Sequence, residues 1–237
     1  KLASIEEQSL RRRLTATHRG LHAGAARGQQ HLISFCCNDY LGLSQHPLVK
    51  QAATAALEQF GAGAGASRLV TGNHPLYAAL EDKLAQIKGA EAACVFGSGF
   101  MVNLGVPPAL VSEPDLVIAD ELIHASLHAG LRMSRAQVRF FAHNDVEQCR
   151  SLLLKLRKTC RHCLILTEGV FSMDGDRAPL RGLCDLAEKY DSWLMVDDAH
   201  GIGVLGETGR GTAEHFGVEG GNYILDCECK AIPDVRA

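Results

Sequence analysis

No run of apolar residues in this chain is long enough to cross a membrane as a helix, and no block of basic residues exceeds Arg11-Arg12-Arg13. The first absence argues against a membrane protein, the second against nucleic acid as a partner. A secretory signal core is also lacking, since Glu6 and Glu7 come early and the three arginines follow. No metal is expected: Cys160 and Cys163 form one C-x-x-C pair, and no second pair stands at zinc-finger spacing. The nine cysteines are odd in number and scattered, which fits free thiols in a reducing cytoplasm better than a disulfide framework. No internal repeat or low-complexity linker is visible. The sequence opens on Lys1 rather than Met, so it is expected to begin inside a longer protein.

What is present is core. Apolar residues make up 46% of 237, with a net charge of −3, enough for a large folded body. Ser4-Ile5-Glu6-Glu7 has the form of a capping box and predicts a helix to about Ala16. A short strand is expected over Leu32–Cys36, followed by a loop at Asn38–Gly42. Pro47 and Pro75 each open a helix at a first-turn position. The run Gly61–Ala66 spells G-x-G-x-x-A, but a helix rather than a strand precedes it, so a dinucleotide site is rejected. Strands are then predicted at Ala92–Phe96, Leu116–Ala119, Val138–Phe141, Leu164–Thr167 and Trp193–Val196, with helices between them. Short continuous apolar strands separated by helices imply an α/β fold with a mostly parallel sheet covered on both faces. The one boundary suggested lies between an N-terminal arm, residues 1–45, and a large domain, residues 46–237.

Polar segments follow the predicted strands, where open α/β sheets bind ligands. Gly97-Ser98-Gly99-Phe100 can present backbone amides to a phosphate at a helix start, or can be an ordinary strand-to-helix turn. His124 can stack on a flat cofactor, or can be a surface residue at a helix start. Thr167–Asp176 is polar and turn-rich; its Asp174-Gly175-Asp176 lacks the other ligands of a calcium loop. Asp197-Asp198-Ala199-His200 places an acid and an imidazole where they could address the nitrogen and the phenolate oxygen of one heterocycle. That pairing suits pyridoxal 5'-phosphate (PLP), although acid-rich strand ends also bind metals.

Asn38–Ser44, Ser67–Gly72, Ala142–Val146, Thr167–Asp176 and Val196–Gly201 together resemble the α-oxoamine synthases. The resemblance implies a PLP-dependent transferase of fold type I and a homodimer. It implies decarboxylative condensation of L-alanine with a pimeloyl thioester, pimeloyl-CoA or pimeloyl-carrier protein, on the way to biotin. Relatives using glycine or serine share much of the pattern. Carried over, Ser98, Gly99 and Phe100 match the turn beside the cofactor, and His124 the ring-stacking residue that also meets substrate. Ser172 and His200 match ring-oxygen contacts, Asp197 the partner of the pyridine nitrogen, and Arg11 and Asn38 substrate-side residues. The family's cofactor-binding lysine matches Lys230, in Cys227-Glu228-Cys229-Lys230-Ala231-Ile232-Pro233, where Cys stands in place of hydroxyl residues and Pro in place of Gly. A small C-terminal domain of the family is expected to be missing. That departure leaves a second expectation open, a non-catalytic chain that binds an active homologue.

Overall fold

The computed structural model describes residues 2–12, 14–20, 23–219 and 224–227. The chain divides into two compact units, with the division between Ala62 and Gly63. The first holds α1 (Leu2–Glu7), β1 (His18–Arg19), β2 (Gly24–Arg27), β3 (Gln30–Ile33) and α2 (Pro47–Phe60). The first helix is shorter than its sequence suggests. Ser4 lies inside it rather than at its cap, and Ser9 takes a left-handed backbone (φ 56°) that ends it, so Arg11 and Arg12 fall outside. The three strands pair antiparallel, with Gly28 (φ 58°) making the tight turn between β2 and β3. The pairing stops at Gly24 opposite Ile33, which is why β3 ends before Cys36. In α2, Pro47 stands at the first turn as expected, and the Gly-Ala run follows the helix C-terminus, where Gly61 N–H bonds Leu57 O at 2.9 Å.

The second unit carries α3 (Pro75–Lys88), α4 (Gly99–Leu110), β4 (Leu116–Asp120), α5 (Ala125–Ser134), β5 (Gln137–Phe141) and α6 (Val146–Leu156). It continues with β6 (Cys163–Glu168), α7 (Leu180–Lys189), β7 (Trp193–Asp197), α8 (Thr212–Phe216) and β8 (Ile224–Cys227). The sheet runs in the order β5-β4-β6-β7-β8, and every neighbouring pair is parallel. Alternation along each strand feeds two cores. Leu116, Ile118, Ile165, Leu194 and Val196 pack with Cys149 and Leu153 of α6 and Leu180 and Leu183 of α7. Val117, Ala119, Leu164, Leu166 and Met195 pack with Val102 and Val106 of α4 and Leu127 and Leu131 of α5. Each fully buried aliphatic side chain of this kind stabilises the fold by about 1.5–3 kcal/mol.

The segment Ala92–Phe96 is not a strand. Side chains take the hydrogen bonds that a ladder would have used: Val95 N–H donates to Glu81 Oε1 (2.8 Å), and Val95 O accepts from Arg68 Nη1 (3.1 Å). Arg68 and Glu81 are themselves paired through two bonds of 2.6 and 3.0 Å.

Helices α4 and α5 come closest at Gly130, where an added Cβ would lie 2.0 Å from Asn103 O. Backbone cannot yield as a flexible side chain can, so Gly130→Ala must drive the helices apart. It is expected to cost about 1–3 kcal/mol, read as a lower midpoint of urea unfolding. An unchanged midpoint would show that the approach is not tight.

Candidate active site

The site grows from the C-terminal end of β7. Asp197 shares the parity of Trp193 and Met195, so it faces the layer of α4 and α5, while Asp198 faces the other way. Asp197 is buried, 5% exposed. Its Oδ2 accepts from Asn103 Nδ2 at 2.8 Å and its Oδ1 from Ala199 N–H at 3.1 Å. Asn103 stands one turn into α4, after the Ser98-Gly99 start of that helix. Its Nδ2 also donates to Ser126 Oγ at 3.0 Å, and Ser126 Oγ lies 2.6 Å from His124 Nδ1. Nδ1 already accepts the Ser126 N–H (3.2 Å), so the hydroxyl donates to it as well, and the neutral imidazole then carries its proton on Nε2. One chain of hydrogen bonds therefore joins His124, Ser126, Asn103 and Asp197.

The remaining residues expected at the site take these places. Ser98 caps α4, its Oγ accepting from Met101 N–H at 3.3 Å, and Gly99 opens the helix, buried. The first amides of a helix have no acceptor within it, which leaves them for a ligand. Phe100 is 55% exposed. Ser172 is exposed on the loop after β6, and His200 is half-buried in the turn after β7. Arg11, paired with Glu6, and Asn38, exposed, belong to the first unit. Lys230 lies outside the described residues.

Four residues that sequence reasoning passed over complete the picture. Asn103 is a lone amide in the apolar run Met101–Val106, and Ser126 follows His124 by two positions. Glu168 ends β6 directly opposite Asp197 in the strand register. Burial, and then the charge of Asp197, push its carboxyl up to about 7, while the backbone amides of His124 and Ser172 act in the opposite sense. Asp198 is fully buried and anchors α8, accepting from Thr212 N–H and Oγ1, each at 2.8 Å, with Lys88 Nζ at 3.9 Å. Gly169, Gly201 and Gly211 crowd around it: an added Cβ would lie 2.4, 2.0 and 1.9 Å from its carboxylate oxygens.

The charge balance shows what the site lacks. Among the described residues no lysine, arginine or histidine forms an ion pair with Asp197; both of its bonds come from neutral donors. A buried carboxylate without a counter-charge is costly. A ligand with a protonated ring nitrogen would supply that charge, and the flat imidazole of His124 stands on the same network.

Glu168 gives a pH test on the protein without ligand. Its pKa is raised on folding from an ordinary 4.5 to about 7, so its contribution to stability is complete below the ordinary value and is lost as pH rises through about 7. Glu168→Gln removes the titration. The melting temperature of the variant should therefore gain on the parent between about pH 5 and about pH 8, by several degrees in differential scanning fluorimetry. A constant difference across that range would contradict the raised pKa.

Comparison with known proteins agrees with this architecture. The aminotransferase class I and II family model matches residues 30–227. The 8-amino-7-oxononanoate synthase of Methylorubrum extorquens (strain PA1) is 62% identical over 205 residues, covering 86% of this chain and 54% of that protein. The enzyme of the same name from Beijerinckia indica is 53% identical over 216 residues, 91% and 56% of the two chains. The chain thus spans about half the length of the curated relatives it matches. Among solved structures, a serine palmitoyltransferase of S. paucimobilis with PLP and myriocin bound superposes with a TM-score of 0.85 at 31% identity, over 94% of this chain and 57% of that one. The 8-amino-7-oxononanoate synthase of Francisella tularensis gives 0.65 at 32%, over 79% and 51%. These likenesses bear out the fold type I α/β architecture and the resemblance to the α-oxoamine synthases. A match that runs through the sheet, its covering helices and the Asp197 strand end means that the chain belongs to the aminotransferase class I and II family.

Proposed function

We propose that this chain works with PLP in the decarboxylative condensation of L-alanine with a pimeloyl thioester, yielding 8-amino-7-oxononanoate for biotin synthesis. The observation that carries the reading is the buried Asp197, paired with no cation among the described residues and on one network with His124, in a chain 62% identical to a protein of that name. Curated relatives at 53–62% identity carry the 8-amino-7-oxononanoate synthase name, which favours alanine over serine as the amino acid. Pimeloyl-CoA and pimeloyl-carrier protein both meet the chemical requirement for the acyl donor.

PLP would supply an electron sink for the negative charge that develops on the amino-acid α-carbon. The chain's residues set the conditions for it. Asp197, ionised, favours the protonated form of a ring nitrogen beside it. Asn103 and the Ala199 amide keep that carboxylate aimed. His124, oriented by Ser126, is assigned to the ring face and the substrate, and Ser172 and His200 to the ring oxygen. The first amides of α4, at Ser98, Gly99 and Phe100, suit the phosphate. Arg11 and Asn38 are assigned to the substrate side, and Lys230 to holding the cofactor and carrying the α-proton. Exposed apolar side chains in the second unit, among them Leu69, Val70 and Met101, support a homodimer. Free buried thiols at Cys149, Cys163 and Cys184 support a reducing cytoplasm as the compartment, and no described helix is long and apolar enough to cross a membrane.

The test is release of carbon dioxide from alanine on adding pimeloyl-CoA to PLP-loaded protein; no release with either acyl carrier rejects the reading. Asp197→Asn should keep PLP bound but slow turnover by roughly 10²-fold or more, and an unchanged rate would remove Asp197 from its role. His124→Ala should weaken PLP binding about tenfold, measured by absorbance titration.

A further inference from the structure

The segment Ala142-His143-Asn144 carries no role in the function proposed above, yet its contacts converge. His143 Nδ1 lies 3.1 Å from Asp120 Oδ1, at the end of β4, and its Nε2 lies 2.7 Å from Asp176 Oδ2, in the loop after β6. Asp120 is fully buried, while Asp176 is 44% exposed at its side chain. The ring meets Phe171 edge-on, with centroids 4.4 Å apart and planes at 88°. Asn144, held at φ 59°, repeats the bridge: its N–H donates to Asp120 Oδ2 at 2.8 Å and its Nδ2 to Asp176 Oδ2 at 2.8 Å. The backbone N–H of His143 is taken by Glu121 Oε1 at 3.1 Å. Two consecutive residues after β5 thus tie one buried acid in the sheet to one acid in the loop. That loop runs from Gly169 to Ala178 and carries Ser172; the bridge Val170–Arg177 closes its base.

We propose that His143 is a positioning residue: as an imidazolium between Asp120 and Asp176 it latches the Gly169–Ala178 loop to the end of β4, and so sets where Ser172 stands. Its connection to catalysis rests on the PLP reading; the latch itself does not. Only a charged ring can donate to both carboxylates at once, since a neutral imidazole has a single N–H. Burial lowers the His143 pKa, but the bonds to Asp120 and Asp176 outweigh it and the net shift is upward. The stabilisation is therefore complete below the ordinary value of 6.5 and is lost as pH rises through the raised one. The charged groups that bond the ring are Asp120 from the β4 end and Asp176 from the loop, both acidic; Glu121, after β4, holds only the backbone N–H of His143. Arg177 beside it is engaged by His215 at 2.7 Å.

The loop contains its own probe. The Arg177–Ala178 bond is a trypsin site, and Ala178 is fully buried, so cleavage there requires the loop to open. His143→Gln removes both ion pairs, and Asp176→Asn removes the one that reaches the loop, leaving buried Asp120 and the imidazole in place should the first fail to fold. Cleavage at this bond, followed by mass spectrometry, is expected to be roughly fivefold to tenfold faster in both variants than in the parent at about pH 7. The ratio should shrink toward one as pH rises through the raised His143 value and the parent's ring loses its proton. Equal rates at the lower pH, or a ratio independent of pH, would overturn the latch. PLP titration of the same proteins separates the two claims. Weaker binding in the variants, in step with faster cleavage, ties the latch to Ser172. Faster cleavage with parental PLP affinity removes that tie, and failure of the parent to bind PLP sinks the functional reading while leaving the cleavage result to stand.

Discussion

The bond from Asn103 to Asp197 is the constraint around which this half of the molecule is arranged. It reaches from a helix on one face of the sheet to the tip of a central strand, and it holds a buried carboxylate that no described cation neutralises. For the amide to arrive there, α4 must begin at the glycine turn, pass one full turn and lie close against α5. Gly130 permits that approach, because any side chain at its position would strike the α4 backbone at Asn103. Helix packing and the electrostatics of the site are thus one problem: displace α4, and Asp197, Ser126 and His124 lose their common member.

The middle of the sheet was readable because β4, β6 and β7 are covered on both faces. Leu116–Asp120, Cys163–Glu168 and Trp193–Asp197 show as unbroken apolar runs ending in acids, and turns follow each of them. The same reasoning failed at Ala92–Phe96, equally apolar, because strand formation needs a partner edge, and Arg68 and Glu81 satisfy that backbone instead. It failed at the first helix because a capping pattern predicts a start but says nothing about Ser9, whose left-handed backbone ends the helix. It did not anticipate β8, whose four residues lie among acids and cysteines rather than in an apolar run.

Site residues divided along similar lines. Asp197, His124 and the Ser98-Gly99 turn stand out by position after strands, which is a local property. Asn103 and Glu168 act through what lies across from them in space, and nothing in their flanking sequence reveals it. A polar residue inside an apolar helix was the available clue to Asn103; the register opposite Asp197 was the clue to Glu168, and a register is visible only once the strands are paired. The His143-Asn144 pair is of the same kind, recognisable as part of a motif but without meaning until Asp120 and Asp176 appear on either side.

Adjacent acids at the end of β7 serve opposite layers: Asp197 turns toward the proposed ring site, and Asp198 toward the threonine that starts α8. Because a strand sends successive side chains to opposite sides, changing the length of Trp193–Asp197 by one residue would break this division. A deletion would bring Asp198 to the place of Asp197 at the proposed ring site, and an insertion would bring Asp197 into the nest of glycines shaped for its neighbour. The count of residues in β7 is therefore as strict a requirement as their identity.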